Sequence, residues 1–378
     1  MSWQGRNVAI VGAGIGGLAL AAALRLQGIE AVIYEQTKAF ARVGAGIQMS
    51  PNAMRVLRGF GLEAQIRANA FQPQTWDNRD WDTGASSNRA ALGATAEERY
   101  GAPYIQMHRG DLQEFLARAV PDGVIHYGKK LTGVTDGGQG YRLSFDDGST
   151  AEAETLIGAD GVHSLIRQHL LGADAPRFMG RAAYRTTFPA TLLGGPEVAD
   201  STKWWGVDRH IVIYFTTRNR EEIYFTTSQP ETDWTTDSWS AEGNLDEMRA
   251  AFSGFHPEVQ AVLEACPGVN KWALFERDPL PKWTEGRVCL LGDACHPMLP
   301  YMAQGAACSL EDAVVLARCL AAGTPDAASV AFQQFEALRK PRTSQLQLTS
   351  HQNTFMQRAT NPEWVYGYDA WNVALEGA

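Results

Sequence analysis

Residues 7–35 read NVAIVGAGIGGLALAAALRLQGIEAVIYE. The opening NVAIV is an apolar run short enough to be a buried strand. Gly12, Gly14, Gly16 and Gly17 predict a turn, residues 18–27 predict a helix, and Gly28 stops it. Residues 31–35 (AVIYE) predict a second strand. A strand–helix–strand unit argues for a parallel sheet covered by helices. The uncharged run 8–24 is not expected to span a membrane. It is near the lower length limit, glycines interrupt it, and Arg25 follows it.

Gly12-x-Gly14-x-x-Gly17 lies where a dinucleotide fingerprint must lie, between strand and helix. The first glycine permits the tight turn. The second lets the backbone approach a pyrophosphate, and the third lets helix and strand pack closely. The positive end of the helix then faces the phosphates. Glu35 follows Gly17 by 18 residues, at the end of the second strand. Its carboxylate can accept from both hydroxyls of a ribose that carries no 2′-phosphate. This motif alone does not separate FAD from NAD.

The chain has 378 residues, 45% hydrophobic and 20% charged, which suits a soluble enzyme of about two domains. Net charge is −9 and no basic run occurs, so a nucleic-acid partner is not expected. Five cysteines without a C-x-x-C pair predict reduced thiols, a cytoplasmic setting and no zinc ribbon. Cys295-His296 resembles a thiol–imidazole couple, but neighbours on an extended loop point apart, so neither nucleophilic catalysis nor a metal site is expected there.

Residues 183–188, 210–217 (HIVIYFTT) and 222–228 (EIYFTTS) are rich in Tyr, Phe, Ile and Thr and predict a mainly antiparallel sheet. After Arg287 the αβ character returns. Residues 288–291 predict a strand and 309–322 a helix, with Glu311 and Asp312 in its first turn. Residues 333–347 read as helical on both sides of Pro341, which should end or kink the helix. Two further motifs end predicted strands: TLIGADGVHSLIR at 155–167, with Asp160 and Gly161, and VCLLGDACHP at 288–297, with Gly292 and Asp293. Open αβ sheets bind ligands at such strand ends.

With GAGIGG and Glu35, GADGVHSLIR, LLGDACHP, and QGA before Glu311-Asp312-Ala313, the chain resembles the group A flavin-dependent aromatic hydroxylases over nearly its whole length. The fold so implied is α/β: a Rossmann-like FAD-binding domain with a parallel sheet, plus a mainly antiparallel β substrate domain, as in 4-hydroxybenzoate hydroxylase. The FAD-binding domain would comprise residues 1–75, 100–180 and 276–350, the substrate domain 76–99 and 181–275, and residues 351–378 a tail packed on the core. The resemblance implies FAD on Gly12, Gly14, Gly17 and Glu35, with its pyrophosphate near Arg109 and its ribitol on Asp293 beside Gly292. Asp160 and Gly161 would serve FAD and a transient NADH or NADPH. Backbone N–H groups of residues 302–305, including Gly305, would face the flavin. The chemistry implied is O2-dependent hydroxylation through a flavin C4a-hydroperoxide, by a monomer or homodimer.

More narrowly, the stretches RVGAGIQMSPNAMR, YGAPYIQMHRGDL, KWWGVDRHIVIYFTT and HPMLPYMAQGA resemble the branch acting on hydroxypyridine carboxylates, of the 6-hydroxynicotinate to 2,5-dihydroxypyridine type. That likeness implies Gln48, His210, Tyr214, Pro300, Tyr301 and Met302 at the substrate, with proton handling among Tyr214, His210, Tyr301 and Gln48. His210 and Tyr214 are four apart on one strand and so share a face. The chain departs from that branch at three places. Gln48 and Tyr301 stand where histidines are expected, and Ser201 where a cysteine is expected. Glutamine holds no positive charge and tyrosine none near neutral pH, which leaves the substrate open to other hydroxypyridines, salicylate or hydroxybenzoates.

Overall fold

The computed structural model describes residues 3, 5–42, 45–138, 140–195, 197–232, 234, 240–358 and 360–375. Within the quoted stretch RVGAGIQMSPNAMR, residues 43 and 44 lie outside the described residues, as do 359 and 376–378 of the expected tail.

Val8–Val11, Val32–Glu35, Ile125–Tyr127, Thr155–Gly158 and Val288–Leu290 form a parallel layer, edged by the antiparallel Thr284–Glu285. Val8–Val11 and Thr155–Gly158 are buried along their length, as strands covered on both faces must be. The helix Ile15–Leu26 packs on this sheet through its small residues. A Cβ on Gly17 would sit 2.0 Å from the Gly12 carbonyl oxygen, and one on Gly12 2.4 Å from that of Ala159. Gly12 also takes φ +103°, open to glycine at no cost.

An eight-stranded sheet draws its strands from Thr75–Asp80, Ser86–Ala91 and residues 177–276. Its strands pair antiparallel except where Ser201–Trp205 runs parallel to Thr75–Asp80. The expected strand at 183–188 is the middle of a longer one, Arg177–Pro189. Alternation along His210–Phe215 sorts the two faces. Ile211, Ile213 and Phe215 join Trp204, Ile223 and Phe225 in an apolar core under two short helices. His210, Val212 and Tyr214 point the other way, into a cavity.

Two expectations are corrected here. The helix after the Gly292-Asp293 motif is Gly305–Ala322, four residues longer at its start than expected. Ser309 is not its cap; its hydroxyl donates to the Gly305 carbonyl one turn back at 3.0 Å. Glu311 and Asp312 therefore lie in the second turn. Pro341 does not end the next helix, which runs through it as Ala328–Gln352. Arg339 and Arg342 flank the proline and bind Glu311, so tertiary anchoring outweighs the lost backbone bond.

Candidate active site

One cavity of about 390 Å³ joins the strand ends of the parallel sheet to the polar face of the large sheet. At one end Gly14 is open, with nothing within 4 Å of where a Cβ would stand. The helix Ile15–Leu26 starts beside it, and Arg109, first residue of Arg109–Arg118, lines the same wall. Gly161, Gly292 and Asp293 complete this end, and Asp293 Oδ1 lies 3.9 Å from the Cβ position of Gly305. Asp293 faces the cavity yet protein surrounds it. Burial lifts its carboxyl above the usual range, against the pull of His296 and Arg109.

Gly12, Gly17, Glu35 and Asp160 stand outside the cavity wall. Both Glu35 oxygens accept from backbone, from Ala13 N at 2.7 Å and Thr37 N at 2.8 Å. This fixes the carboxylate next to the glycine turn and leaves lone pairs for a ribose. Asp160 accepts from Ser164 Oγ at 2.5 Å and from the backbone N–H of Leu165 at 2.8 Å, at the start of the helix Leu165–Leu171. Its carboxylate thus holds that helix start in place.

At the other end the floor is the large sheet. Lys203, His210, Val212, Tyr214, Tyr224, Thr226 and Arg185 face the cavity from four strands, in the register Trp205↔His210, Lys203↔Val212, Tyr214↔Tyr224 and Arg185↔Thr226. Gln48 enters from Gly46–Met49, accepts from the Tyr104 hydroxyl and lines the cavity beside Tyr214. Gly46 makes this approach possible, because a Cβ there would stand 2.7 Å from the Tyr214 oxygen. Burial pushes the Tyr214 hydroxyl well above its usual range, reinforced by Tyr224 and Tyr104 and opposed by Gln48, so it stays protonated. Burial, Lys203 and Arg181 together hold His210 well below the usual histidine range, so its imidazole is neutral.

The roof is the turn Pro300–Met302 with Ala303 at φ +54°, a left-handed conformation uncommon for alanine. The Tyr301 hydroxyl shares a 2.9 Å hydrogen bond with Ser228, and its ring meets that of His210 edge-on at 5.4 Å. These two residues also line a second cavity of about 460 Å³, with Arg181, Trp205 and Asn353, so they form a wall between the two spaces. Ser201 lies on the same sheet face as Tyr214 but does not line the cavity; its hydroxyl accepts from Gln106 Nε2 at 2.6 Å.

Sequence reasoning missed Lys203, Arg185, Tyr104 and Tyr224. A signal was available for Lys203: in STKWW, Ser201, Lys203 and Trp205 share a face opposite the buried Trp204. The expectation that Cys295 and His296 point apart is also corrected. Their backbone N–H groups both bond back to the Gly292 carbonyl at 2.9 Å, so the segment is a turn and both side chains face inward. Cys295 Sγ, His296 and Asp312 come within 4.8 Å of one another, all buried. Arg339 occupies the other oxygen of Asp312 at 2.7 Å, and burial keeps the Cys295 thiol protonated.

An FAD binding domain family matches residues 6–349. The chain belongs to that family of FAD-dependent hydroxylases. It is 46% identical over 375 residues to the 6-hydroxynicotinate 3-monooxygenase of Bordetella bronchiseptica, covering 98% of each chain. It is 33% identical over 386 residues to a salicylate hydroxylase of Pseudomonas putida, covering 95% of this chain and 87% of that one. Among solved structures, a salicylate hydroxylase substrate complex superimposes with TM-score 0.82 at 25% identity over 98% of this chain and 97% of that one. Klebsiella pneumoniae HpxO complexed with FAD and uric acid gives TM-score 0.83 at 26% identity over 96% and 91%. The enzyme is thus a flavin-dependent monooxygenase using FAD, NAD(P)H and O2. Its residues fit FAD: an open glycine at a helix start, an adjacent guanidinium, and an enclosed carboxylate beside Gly305 suit a pyrophosphate and a polyol. No helix among the described residues is long and apolar enough to cross a membrane.

Proposed function

We propose that this monooxygenase hydroxylates a small hydroxypyridine or hydroxybenzoate carboxylate, replacing the carboxylate by hydroxyl as in 6-hydroxynicotinate to 2,5-dihydroxypyridine. The observation that carries this reading is the lining of the cavity. Arg109, Arg185 and Lys203 face it against one acid, Asp293, and aromatic side chains surround the far end. Such a space suits two anions, a dinucleotide and an aromatic acid.

In this reading Gly14 and Arg109 receive the pyrophosphate, Glu35 the adenosine ribose, and Asp293 with Gly292 and Gly305 the ribitol and ring. Bound FAD, reduced by NAD(P)H, supplies the electrons that activate O2. Tyr214, kept protonated, donates a hydrogen bond to the ring oxygen of the substrate. Gln48 orients that hydroxyl and links it to Tyr104. His210, neutral, offers a ring nitrogen as a hydrogen-bond acceptor to the substrate, while Pro300, Tyr301 and Met302 close the roof and exclude water. The enzyme works in the cytoplasm as a monomer or homodimer.

The test is NADH oxidation by FAD-loaded protein with 6-hydroxynicotinate, salicylate and 4-hydroxybenzoate, with products weighed by mass spectrometry. The expected result is stimulation by 6-hydroxynicotinate and a product that has lost CO2. Stimulation by salicylate instead favours the second reading, which Gln48 and Tyr301 support by removing two imidazoles. NADH oxidation indifferent to every aromatic makes the protein a flavin reductase or oxidase and sinks both.

A further inference from the structure

Lys203 is buried, 4% exposed, on the cavity face of Ser201–Trp205. Its amine donates to Asn353 Oδ1 at 3.0 Å, and lies 3.8 Å from the centre of the Trp205 ring and 5.7 Å from that of Tyr301. Among the described residues no carboxylate comes within 4.0 Å of it. Acids on the surrounding elements are engaged with other partners: Asp77 with Arg79 and Arg89, Glu276 with Arg177 and His351, Asp208 with Arg209. The groups facing the amine are His210 from the adjacent strand, Trp205 two residues on, Tyr301 from the roof and Asn353 from the end of the long helix. None is negative. Burying an ammonium without a counter-ion costs several kcal/mol. Burial alone lowers this amine to about 7. A charge site left uncompensated in a pocket is where a ligand's opposite charge is accommodated.

We propose that Lys203 is a carboxylate-binding subsite of the aromatic pocket, held by Asn353 and Trp205. The assignment rests on the reading above that the substrate is an aromatic acid. The carboxylate arrives ionised and needs a counter-charge; the ring hydroxyl arrives neutral and does not. With Gln48 and Tyr301 in place of imidazoles, Lys203 supplies that charge. Above about pH 7 the amine takes one proton from solvent as the ion pair forms; below it the ammonium is already present.

The test titrates FAD-loaded protein with 6-hydroxynicotinate and with 2-hydroxypyridine, which lacks the carboxylate. Isothermal calorimetry follows wild type, Lys203→Met and Lys203→Arg across neutral and mildly alkaline pH. In wild type, affinity for 6-hydroxynicotinate should fall about tenfold per pH unit above about 7, while 2-hydroxypyridine binding stays flat. Lys203→Met should lose roughly 10–100-fold for 6-hydroxynicotinate, and with it the pH slope, and leave 2-hydroxypyridine unchanged. Lys203→Arg should keep the affinity without the slope. Unchanged 6-hydroxynicotinate binding by Lys203→Met, or equal weakening of both ligands, overturns the assignment. If wild type binds this way yet never hydroxylates the ligand, the substrate reading fails and the subsite stands. If wild type hydroxylates it and Lys203→Met binds normally, the subsite alone fails.

Discussion

Two of the buried charge sites in this molecule are built on opposite terms. Around Asp312 every carboxylate oxygen has a partner. Glu311 accepts from Asn52 at 2.7 Å, Arg339 at 2.7 Å and Arg342 at 3.0 Å, while Asp312 takes Arg339 and His296. Around Lys203 a full charge has one amide oxygen and two rings. The first site joins two long helices and leaves no carboxylate oxygen unpaired. The second opens on the cavity. Pairing, not burial, separates structural from functional charge here.

Removing a partner from the closed site should therefore have the largest effect. Arg339→Met leaves two buried carboxylates short of a cation, and unfolding free energy should drop by about 3–5 kcal/mol. Urea denaturation of the FAD-loaded protein measures it; a loss under 1 kcal/mol would mean the cluster relaxes into water. The pH sign follows. Burial works against both carboxyls, yet Arg342 and Arg339 hold Glu311, and His296 and Arg339 hold Asp312, below their usual values. Their stabilisation is complete above the ordinary carboxylate range and is lost as pH falls from there through their lowered folded values.

Asp293 stands between the two cases: an enclosed acid facing the cavity, with Arg109 and His296 near enough to oppose its protonation. If it holds the FAD polyol, Asp293→Ala should weaken FAD roughly 10–100-fold, the worth of a charged hydrogen bond. Flavin absorbance after desalting reads this directly. Full retention of FAD would move the cofactor contacts elsewhere.

How much of this was legible depended on whether the signal was local. The strand–glycine–helix unit is local, and residues 7–35 display it in full. The register of the large sheet is not local. STKWW reads as aromatic packing until Trp205 is paired with His210, and only then does Lys203 emerge on the cavity face. Likewise Glu311 and Asp312 looked like first-turn acids because the helix starts four residues before Ser309, and their partners Arg339 and Arg342 are far away in sequence. Gln48 was named from its motif, but its link to Tyr104 and Tyr214 needed the Gly46–Met49 strand laid over the tyrosines.

A smaller effect is expected at Tyr214. Tyr214→Phe keeps the ring packed on Tyr224, 4.8 Å between centres, and removes only the hydroxyl. Turnover should fall about tenfold, one hydrogen bond's worth, with NADH binding unchanged. An unaltered rate would take Tyr214 out of proton handling. An equal loss in NADH binding would point to a distorted floor.

The smallest effect has the opposite direction, and it is the sharpest test of the comparison. The amine of Lys203 falls from 10.5 to about 7 on folding. Between those values the unfolded chain binds a proton that the folded chain does not, so stability from this residue rises with pH across that window. Below about 7 the folded protein carries the full cost of a buried ammonium. Lys203→Met removes that cost without leaving an acid unpaired, because none is paired to it. The melting temperature of the FAD-loaded, substrate-free variant should therefore rise by a few degrees near pH 6 and match wild type near pH 10. Arg339→Met should melt lower than wild type at both pH values, because the carboxylates it leaves are ionised throughout. If Lys203→Met melts lower at every pH, the lysine is a structural strut after all, and the two sites differ in degree rather than kind.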